Sequence, residues 1–401
     1  MQQKRNTYAL SLGILALSAG TAHGNPTALP EGEGKKQVEA VCTACHSART
    51  ILRSAGFDGA DEWRRVIATM VALPDEQAKS IATYLAKHFP KDASRAPTLV
   101  PGDTEIEIVE WQTPTLGQRT RDPVEAPDGA IWWTGMWASL AGRLDPVTGA
   151  MKEYPLPPSA RPHSILPDAD GNIWYTGNSN GTIGRLDPAT GEVTEFNTEA
   201  GDPHTAIFHP NGNMYFTAQH AGVLGRLDPN TGALTEIDTE RRPYGIRVGS
   251  DGTLWIAYNG TNKIGALHPD DMTVRYYEVP DERTRIRRLD LDSNGIVWFV
   301  NSSLGKIGRL DPATGEVRQW DSPSGPTSHP YAIAVIDDVV WYNESGMRPD
   351  ALVRFDPTEE TFQSWAIPSG VGIVRHVWVT KDKNLLIHQT SSNRVGLVKI
   401  P

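Results

Sequence analysis

Gly142-Arg143-Leu144-Asp145-Pro146 is the stretch most informative about the fold, because this phrase returns along most of the chain. It recurs at 184–188, 225–229 and 308–312, and degenerate copies occupy 265–269, 353–357 and 396–399. Neighbouring copies are about 42 residues apart, and most follow an Asp-Gly or Asn-Gly turn and an aromatic strand. A period of this length made of short strands is typical of a β-propeller blade, so the seven copies predict an all-β seven-bladed β-propeller over 105–401.

The ends of the repeat region predict how the propeller closes. The last copy stops at Pro401, where other copies continue into an outer strand, and residues 105–111 have the alternation of such a strand. We expect this early strand to pair with the final blade and leave no open edge. The phrase itself predicts a tight turn. Tryptophans that recur at one blade position predict a core between the blades, and these are Trp174, Trp255, Trp298 and Trp341.

Large polar residues take one position near the start of the innermost strand of every blade. Propeller blades begin these strands beside the central channel, so the side chains are predicted to line one mouth of it. A ring of three histidines, two arginines and two tyrosines could bind an anion, hold a metal ion or transfer protons. The ring consists of Arg121, His163, His204, Tyr244, Arg287, Tyr331 and His376.

Two of these blades carry a family resemblance. Residues 161–165 (Arg-Pro-His-Ser-Ile) and 202–206 (Asp-Pro-His-Thr-Ala) each lead to an aromatic strand and then to the repeated phrase. These blades resemble those of virginiamycin B lyase, the streptogramin lyase family, over about 105–401. The resemblance implies a magnesium-dependent enzyme that opens a cyclic depsipeptide antibiotic by elimination, with a base that takes an α-proton and a cation that stabilises the enolate.

The resemblance also implies roles for individual residues. His204 matches the base, His163 matches the histidine that contacts the substrate, and Asp202 and His220 match ligands of Mg²⁺. The family has a second metal-binding glutamate two residues before that last histidine, where this sequence has Ala218. A hard divalent ion prefers several oxygen ligands, so the missing carboxylate weakens the expectation of Mg²⁺ binding and of antibiotic elimination.

Cys42-Thr43-Ala44-Cys45-His46 indicates a different chemistry upstream of the repeats. A Cys-x-x-Cys-His run is the attachment motif of covalent haem c, in which two thioethers hold the macrocycle and the histidine binds the iron. A disulfide or a thioredoxin-like pair is the alternative. Thioredoxin-type motifs, however, lie in a βαβ pattern and have no obligatory histidine after the second cysteine.

Residues 31–90 around this motif are predicted to be helical, with apolar periodicity over 38–45, 62–73 and 75–89. They resemble a small all-α class I cytochrome c domain. Met70 is the predicted sixth ligand of the iron, and His88 is the alternative, which would lower the reduction potential. Residues 91–104 are predicted to be a linker, because they contain two prolines and no apolar periodicity.

The N-terminus and the charge pattern predict where the protein works. Residues 1–24 combine two basic residues, an apolar run and a small-residue cleavage site, which is typical of a signal peptide and predicts a periplasmic protein with no membrane span after cleavage. The formal net charge is −10, and acidic and basic residues are interspersed along the chain, which argues against nucleic acid as a partner. We expect a monomer whose partner is a redox protein or a small-molecule substrate.

Three functions fit these patterns. The first is a periplasmic c-type cytochrome that binds haem and transfers electrons, with the propeller as its substrate-binding or catalytic platform. The second is a Mg²⁺-dependent carbon–oxygen lyase that acts on virginiamycin B-like depsipeptides. The third is an oxidoreductase that passes electrons from a channel-bound substrate to the haem.

Overall fold

The computed structural model describes residues 28–54, 56–370 and 372–401, and the predicted signal peptide lies outside these ranges. A small helical unit comes first. Its helices are α1 (Lys35–Cys42), α2 (Ala48–Leu52), α3 (Gly59–Ala68) and α4 (Asp75–His88). A single 3₁₀ turn follows at Ala93–Arg95. The three predicted helical segments are present, whereas α2 was not predicted because it is short and follows the haem motif directly.

The helical unit has its own apolar core. Val38 of α1 and Ile81 of α4 are fully buried, and Trp63 and Val66 of α3 pack into the same cluster. Helix α4 begins with acidic residues at Asp75 and Glu76 and ends with basic ones, which is the arrangement that the helix dipole favours. Helix α1 ends at Cys42, so the remainder of the haem motif lies in a turn rather than in the predicted longer helix.

Seven four-stranded antiparallel sheets follow, each ordered from the innermost strand to the outermost. The first three sheets are β2 (Thr120–Glu125), β3 (Ile131–Gly135), β4 (Leu140–Leu144), β5 (Met151–Pro155); β6 (Pro162–Pro167), β7 (Ile173–Gly177), β8 (Thr182–Leu186), β9 (Val193–Asn197); and β10 (Pro203–Phe208), β11 (Met214–Ala218), β12 (Val223–Leu227), β13 (Leu234–Asp238). The next three are β14 (Pro243–Val248), β15 (Leu254–Tyr258), β16 (Lys263–Leu267), β17 (Val274–Glu278); β18 (Ile286–Leu291), β19 (Val297–Asn301), β20 (Lys306–Leu310), β21 (Val317–Asp321); and β22 (Pro330–Ile336), β23 (Val339–Glu344), β24 (Ala351–Asp356), β25 (Thr361–Ala366). A 3₁₀ turn at Gly325–Thr327 precedes β22.

The seventh sheet joins the two ends of the repeat region. It contains β26 (Trp378–Val379), β27 (Leu385–Gln389) and β28 (Arg394–Lys399), and its outer strand is β1 (Glu107–Gln112) from the start of the propeller. Strands β1 and β28 pair antiparallel from Glu107 opposite Lys399 to Gln112 opposite Arg394. The predicted closure is therefore confirmed, and it leaves no unpaired edge at the junction.

The aspartate and the glycine of the repeated phrase have structural roles. The Asp145 carboxylate accepts the backbone N–H groups of Val147 and Thr148 at 2.9 and 3.2 Å, which fixes the predicted turn. Its leading glycine is required because the aromatic ring of the preceding strand lies across it. A Cβ on Gly225 would lie 2.1 Å from the ring of Phe216. The same close approach recurs between Gly142 and Trp133, Gly184 and Tyr175, and Gly308 and Phe299.

The recurring tryptophans form the core between and within the blades, as predicted. Each is at most 5% exposed. Trp174 stacks on Phe196 of the outer strand with ring centroids 5.6 Å apart, and Trp298 stacks on Trp320 at the same distance. Aromatic pairs of this kind add to the burial of apolar area within each sheet.

The segment predicted as a linker lies along the outer strand of the sixth sheet. The Val100 N–H donates to Ser364 Oγ at 2.8 Å, and the Ser364 N–H donates to the Val100 carbonyl at 2.9 Å. Gln363 donates to the Thr104 carbonyl at 2.8 Å. These bonds hold the segment against β25, so it is a fixed connection. In the described part of the chain, no helix has the length and apolar character needed to cross a membrane.

Candidate functional site

The innermost strands of the first six sheets are irregular where the ring residues lie. The register shifts between Arg121 and Val124 in β2, and equivalent shifts occur in β6, β10, β14, β18 and β22. A β-bulge releases residues from the strand ladder and turns extra side chains toward one face. Here that face is the channel, and the bulges place two neighbouring residues of a blade near it.

The predicted ring residues meet at the channel. The rings of His163 and His204 are 3.6 Å apart between centroids, and His204 is 4.3 Å from Tyr244. The hydroxyl groups of Tyr244 and Tyr331 form a hydrogen bond. The Arg287 guanidinium lies 4.6 Å from the centre of the Tyr331 ring. Arg121 and His376 are also buried, at 5% exposure each.

Residues next to the ring positions complete the site, and the sequence pattern missed them. Arg288 is 1% exposed and donates to Asp122, also buried, at 3.3 Å. Asp122 in turn lies 3.5 Å from His163 Nδ1. In the seventh blade, Arg375 donates to the Tyr331 hydroxyl at 3.0 Å. A search for one residue per blade cannot find these groups, because it takes no account of the bulges. Charged residues adjacent to the ring positions in otherwise apolar strands were the available signal.

The channel environment keeps its histidines neutral. Burial lowers the pKa of His204 well below its ordinary value, and His163 and Arg288 lower it further. Burial and Arg121 lower the pKa of His163 to about 3, although Asp122 opposes them. Burial alone would raise the pKa of Asp122, but His163 and Arg288 beside it hold that pKa well below the usual range. The carboxylate is therefore ionised, and both imidazoles are neutral at neutral pH.

The channel environment favours the charged form of Tyr331, in contrast to the neutral form of the histidines. Burial tends to raise its pKa, but the charges of Arg375, Arg287 and Arg121 outweigh burial and lower it to about 7. Burial and the neighbouring Tyr331 raise the pKa of Tyr244. A phenol surrounded by guanidinium groups can thus lose its proton near neutral pH, whereas its partner phenol keeps its own.

Asp202 and His220, the predicted Mg²⁺ ligands, lie on the rim and bond to each other. The Asp202 carboxylate accepts the His220 N–H at 2.6 Å, the His220 ring at 2.8 Å and the Ala221 N–H at 3.2 Å. Ala218 is fully buried in β11. Within residues 28–54, 56–370 and 372–401, no three His, Cys, Asp or Glu residues are grouped as a metal site requires. Mg²⁺ prefers a full shell of oxygen ligands, and these residues do not fit it.

A cavity of about 520 Å³ in the helical unit contains every predicted haem residue except the alternative ligand. Cys42, Cys45, His46 and Met70 all line it. The remaining lining is largely apolar and includes Ile51, Phe57, Trp63, Val66, Ile67 and Leu85. The buried Nδ1 of His46 has no hydrogen-bond partner within the described residues. His88 lies outside this lining, and its ring packs on Tyr84 at 4.5 Å.

The propeller forms part of the wall of this haem-motif cavity. Arg348, Ile373 and Ser391 belong to the propeller and line the cavity as well. The carbonyl of Thr69, beside Met70, accepts the Asn393 side chain at 2.6 Å and the Gly117 N–H at 3.1 Å. The loop that carries Met70 is thereby bound to the propeller surface.

A family model matches most of the chain. Residues 99–238 and 232–400 match the Virginiamycin B lyase family. The chain belongs to that family. The match covers the propeller and excludes the helical unit, and no curated protein sequence matches the chain significantly.

Solved structures of the virginiamycin B lyase family are similar to the propeller. A streptogramin B lyase is 25% identical with a TM-score of 0.66, and the match covers 74% of this chain and 98% of that one. Selenomethionine-substituted virginiamycin B lyase from Staphylococcus aureus is 22% identical with a TM-score of 0.66, and the match covers 74% of this chain and 100% of that one. A catalytically inactive variant of virginiamycin B lyase from the same organism, solved with quinupristin, has the same identity, TM-score and coverage.

Proposed function

We propose that this chain is a c-type cytochrome joined to a virginiamycin B lyase-family propeller, which serves as its substrate-binding or catalytic platform. The observation that carries the proposal is the cavity of about 520 Å³ that brings Cys42, Cys45, His46 and Met70 together within an apolar lining. The cysteines and His46 were predicted from the Cys-x-x-Cys-His motif and Met70 from the resemblance to cytochrome c domains, and a cavity of this size suits a cofactor.

The residues of the cavity fit a covalently bound haem. Cys42 and Cys45 would hold it through thioethers, His46 would supply the nitrogen ligand and Met70 the thioether ligand. The apolar lining would pack against the group and exclude water from it. Bound haem would supply one-electron transfer at this position. We further propose export to the periplasm, where this kind of attachment takes place, and the domain boundaries given above.

Haem binding is tested by expressing the full chain with its leader in a bacterium that attaches haem c. The pyridine-haemochrome spectrum of the purified protein should be that of a haem held by two thioethers. Cys45→Ala should change that spectrum, because one thioether is lost, and a normal two-thioether spectrum in this variant would refute the assignment. Met70→Leu should lower the reduction potential, whereas the control His88→Gln should not.

A carbon–oxygen lyase is the second candidate, and the comparisons support it better than they support electron transfer, because they all concern the propeller. The supporting feature of the channel is His204, a neutral and buried imidazole beside His163 and Tyr244. It can take the proton next to a carbonyl while the ester carbon–oxygen bond breaks, which opens a cyclic depsipeptide without consuming water.

Lyase activity is tested with quinupristin as the substrate. The wild-type chain should open the ring if this candidate is correct, and His204→Ala should abolish turnover. His268→Ala, which changes an exposed histidine in the turn after β16, is the matched control and should retain it. Because the rim residues do not fit Mg²⁺, turnover should survive a chelator. Absence of ring opening by the wild type would remove this candidate, and turnover by His204→Ala would remove His204 as the base.

An oxidoreductase is favoured by one further observation. Arg348 and Ile373 line both the haem-motif cavity and a cavity at the channel mouth, so the two spaces share a wall. A substrate bound at the channel would then lie next to the haem. Reduction of ferric haem on addition of a small organic substrate would support this alternative, and a haem spectrum unchanged by every candidate substrate would count against it.

A further inference from the structure

The cavity at the channel mouth has an unusual charge pattern. Its volume is about 610 Å³. Four of its 13 lining residues are arginines, Arg95, Arg287, Arg348 and Arg375, and none is an aspartate or glutamate. A volume of this size suits a small molecule rather than a macromolecule. Ile373 and Pro326 add an apolar patch to the wall.

Only one of these arginines has a carboxylate partner among the described residues. Arg348 lies 2.9 Å from Asp350. Arg95 donates to the carbonyl of Gly346, and Arg287 and Arg375 donate to the hydroxyl of Tyr331. The Nε atoms of Arg287 and Arg375 are buried and have no partner in that same set of residues.

Arg121 adds to the positive charge behind the cavity. It is 5% exposed, and its Nε and Nη1 atoms have no hydrogen-bond partner within the described ranges. A buried cation is costly unless it is paired, because it loses its hydration without gaining an equivalent contact. Ionisation of Tyr331 supplies at most one negative charge to this group, so positive charge remains in excess.

We propose that the channel mouth binds a carboxylate group, held by Arg287 and Arg375. The planar guanidinium fork matches a carboxylate through two parallel hydrogen bonds, and the apolar patch would contact the organic body that an inorganic anion lacks. This inference deepens the proposed function, since it names the chemistry that the channel site recognises.

Two sources can supply that carboxylate. One is a free small organic acid, which would be a substrate of the propeller. The other is a propionate of the haem itself, because Arg348 lines both the haem-motif cavity and the cavity at the channel mouth. The second source rests on haem attachment, whereas the first does not.

The experiment titrates the purified haem-loaded protein with benzoate, and with benzamide as the neutral probe of the same shape. Calorimetry should detect binding of benzoate and no binding of benzamide. Arg375→Gln and Arg287→Gln should each weaken benzoate binding at least about tenfold, and Arg375→Lys should restore only part of it. Arg275→Gln, at an exposed residue of β17, is the matched charge control and should bind as the wild type does.

The reduction potential separates the two sources. If the protein does not bind benzoate but Arg375→Gln and Arg348→Gln change the potential and its pH dependence, the arginines hold a propionate. If benzoate binds as described, the ligand is a free acid. Absence of benzoate binding together with unchanged potentials in both variants overturns the proposal. Haem content is measured first. A protein without haem refutes the proposed function, and the benzoate titration then still decides whether the channel mouth binds a carboxylate.

Melting temperatures keep the result interpretable. Arg375→Gln removes a cation without a carboxylate partner but also its hydrogen bond to the Tyr331 hydroxyl, so the unliganded variant should unfold within a few degrees of the wild type. Saturating benzoate should raise the melting temperature of the wild type and not that of the variant. A variant that melts far below the wild type would show that Arg375 is structural, and Arg287→Gln then decides the proposal.

Discussion

Tyr331 has a pKa that depends on the arginines around it. Arg375, Arg287 and Arg121 lower that pKa to about 7 against the effect of burial, and Tyr244 shares its hydrogen bond. We expect phenolate absorbance to appear as the pH rises through about 7 and to be missing in Tyr331→Phe. Tyr154→Phe, which changes a buried tyrosine that stacks on Trp132, is the control.

The same shift predicts a pH dependence of stability. A lowered pKa means that the folded state releases this proton at a lower pH than the unfolded state, so ionisation stabilises the fold as pH rises from about 7 toward the ordinary tyrosine value. The stabilisation is lost as pH falls through 7. The difference in unfolding free energy between wild type and Tyr331→Phe should therefore increase across this range, and a difference independent of pH would contradict the assignment.

Asp122 is the carboxylate that offsets positive charge in the interior of the channel. It contacts Arg288 at 3.3 Å and lies near His163. Asp122→Asn should cost about 3–5 kcal/mol of unfolding free energy, because it leaves the Arg288 charge buried without a partner. Urea unfolding measures this, with the exposed Asp170→Asn as the control. The double variant Asp122→Asn/Arg288→Met should recover part of the loss, and equal instability of the single and double variants would argue against the ion pair.

The sequence predicted the conspicuous residues of the channel and missed their neighbours. His163, His204 and Tyr244 repeat in register, so they could be found by comparing blades. Asp122, Arg288 and Arg375 do not repeat. A β-bulge, which depends on backbone hydrogen bonding, brings Asp122 and Arg288 to the channel, and Arg375 lies in the segment before β26. Ion pairs across the channel, such as that of Asp122 with Arg288, connect residues that are far apart in the chain. The spacing of residues within a blade carries no information about such pairs.

The third strand of most blades carries the glycine of the repeated phrase, whereas the sixth blade has Val353 there. At Gly225 the ring of Phe216 occupies the space that a Cβ would need. Gly225→Ala should therefore lower the unfolding free energy by about 1–3 kcal/mol through overpacking. Adding Phe216→Leu to this variant should recover part of the loss, because the smaller side chain leaves room. A strictly additive double variant would show that the two residues are not coupled.

The loop after α3 is held by a glycine of the propeller. Gly117 has φ +66°, and a Cβ there would lie 2.8 Å from the Met70 carbonyl oxygen. Gly117→Ala should displace the loop and weaken the proposed iron ligation by Met70, which would appear as a lower reduction potential. Gly191→Ala is the matched control, since Gly191 has φ +80° with no atom within 4 Å of the added Cβ. Equal potentials in the two variants would exclude this coupling.

Strands were easier to predict than helices in this chain. Each blade repeats the turn and the aromatic positions, so seven copies reinforce one pattern, and even the pairing of β1 with β28 follows from counting strands. The helical unit occurs once. Helix α2 has five residues and owes its position to the motif before it, which explains why its periodicity was too short to detect.

The whole molecule is held together along residues 91–104, and this was not predictable. Proline content indicated a linker, but the hydrogen bonds of that segment go to Ser364 and Gln363, which lie far along the sequence. Ser364→Ala should loosen the segment and increase the rate of protease cleavage within it, while the exposed outer-strand control Thr194→Ala should not. Equal cleavage rates in the two variants would show that other contacts fix the segment.

The bond between Asn393 and the Thr69 carbonyl has a consequence for biosynthesis. Asn393 and Ser391 belong to the last blade, whereas the helical unit is synthesised first. The wall that these residues give to the haem-motif cavity cannot form until the final strands have emerged. During that interval the cavity is open on one side, which is when a large rigid ligand can enter without displacing folded structure, and completion of the propeller then closes it.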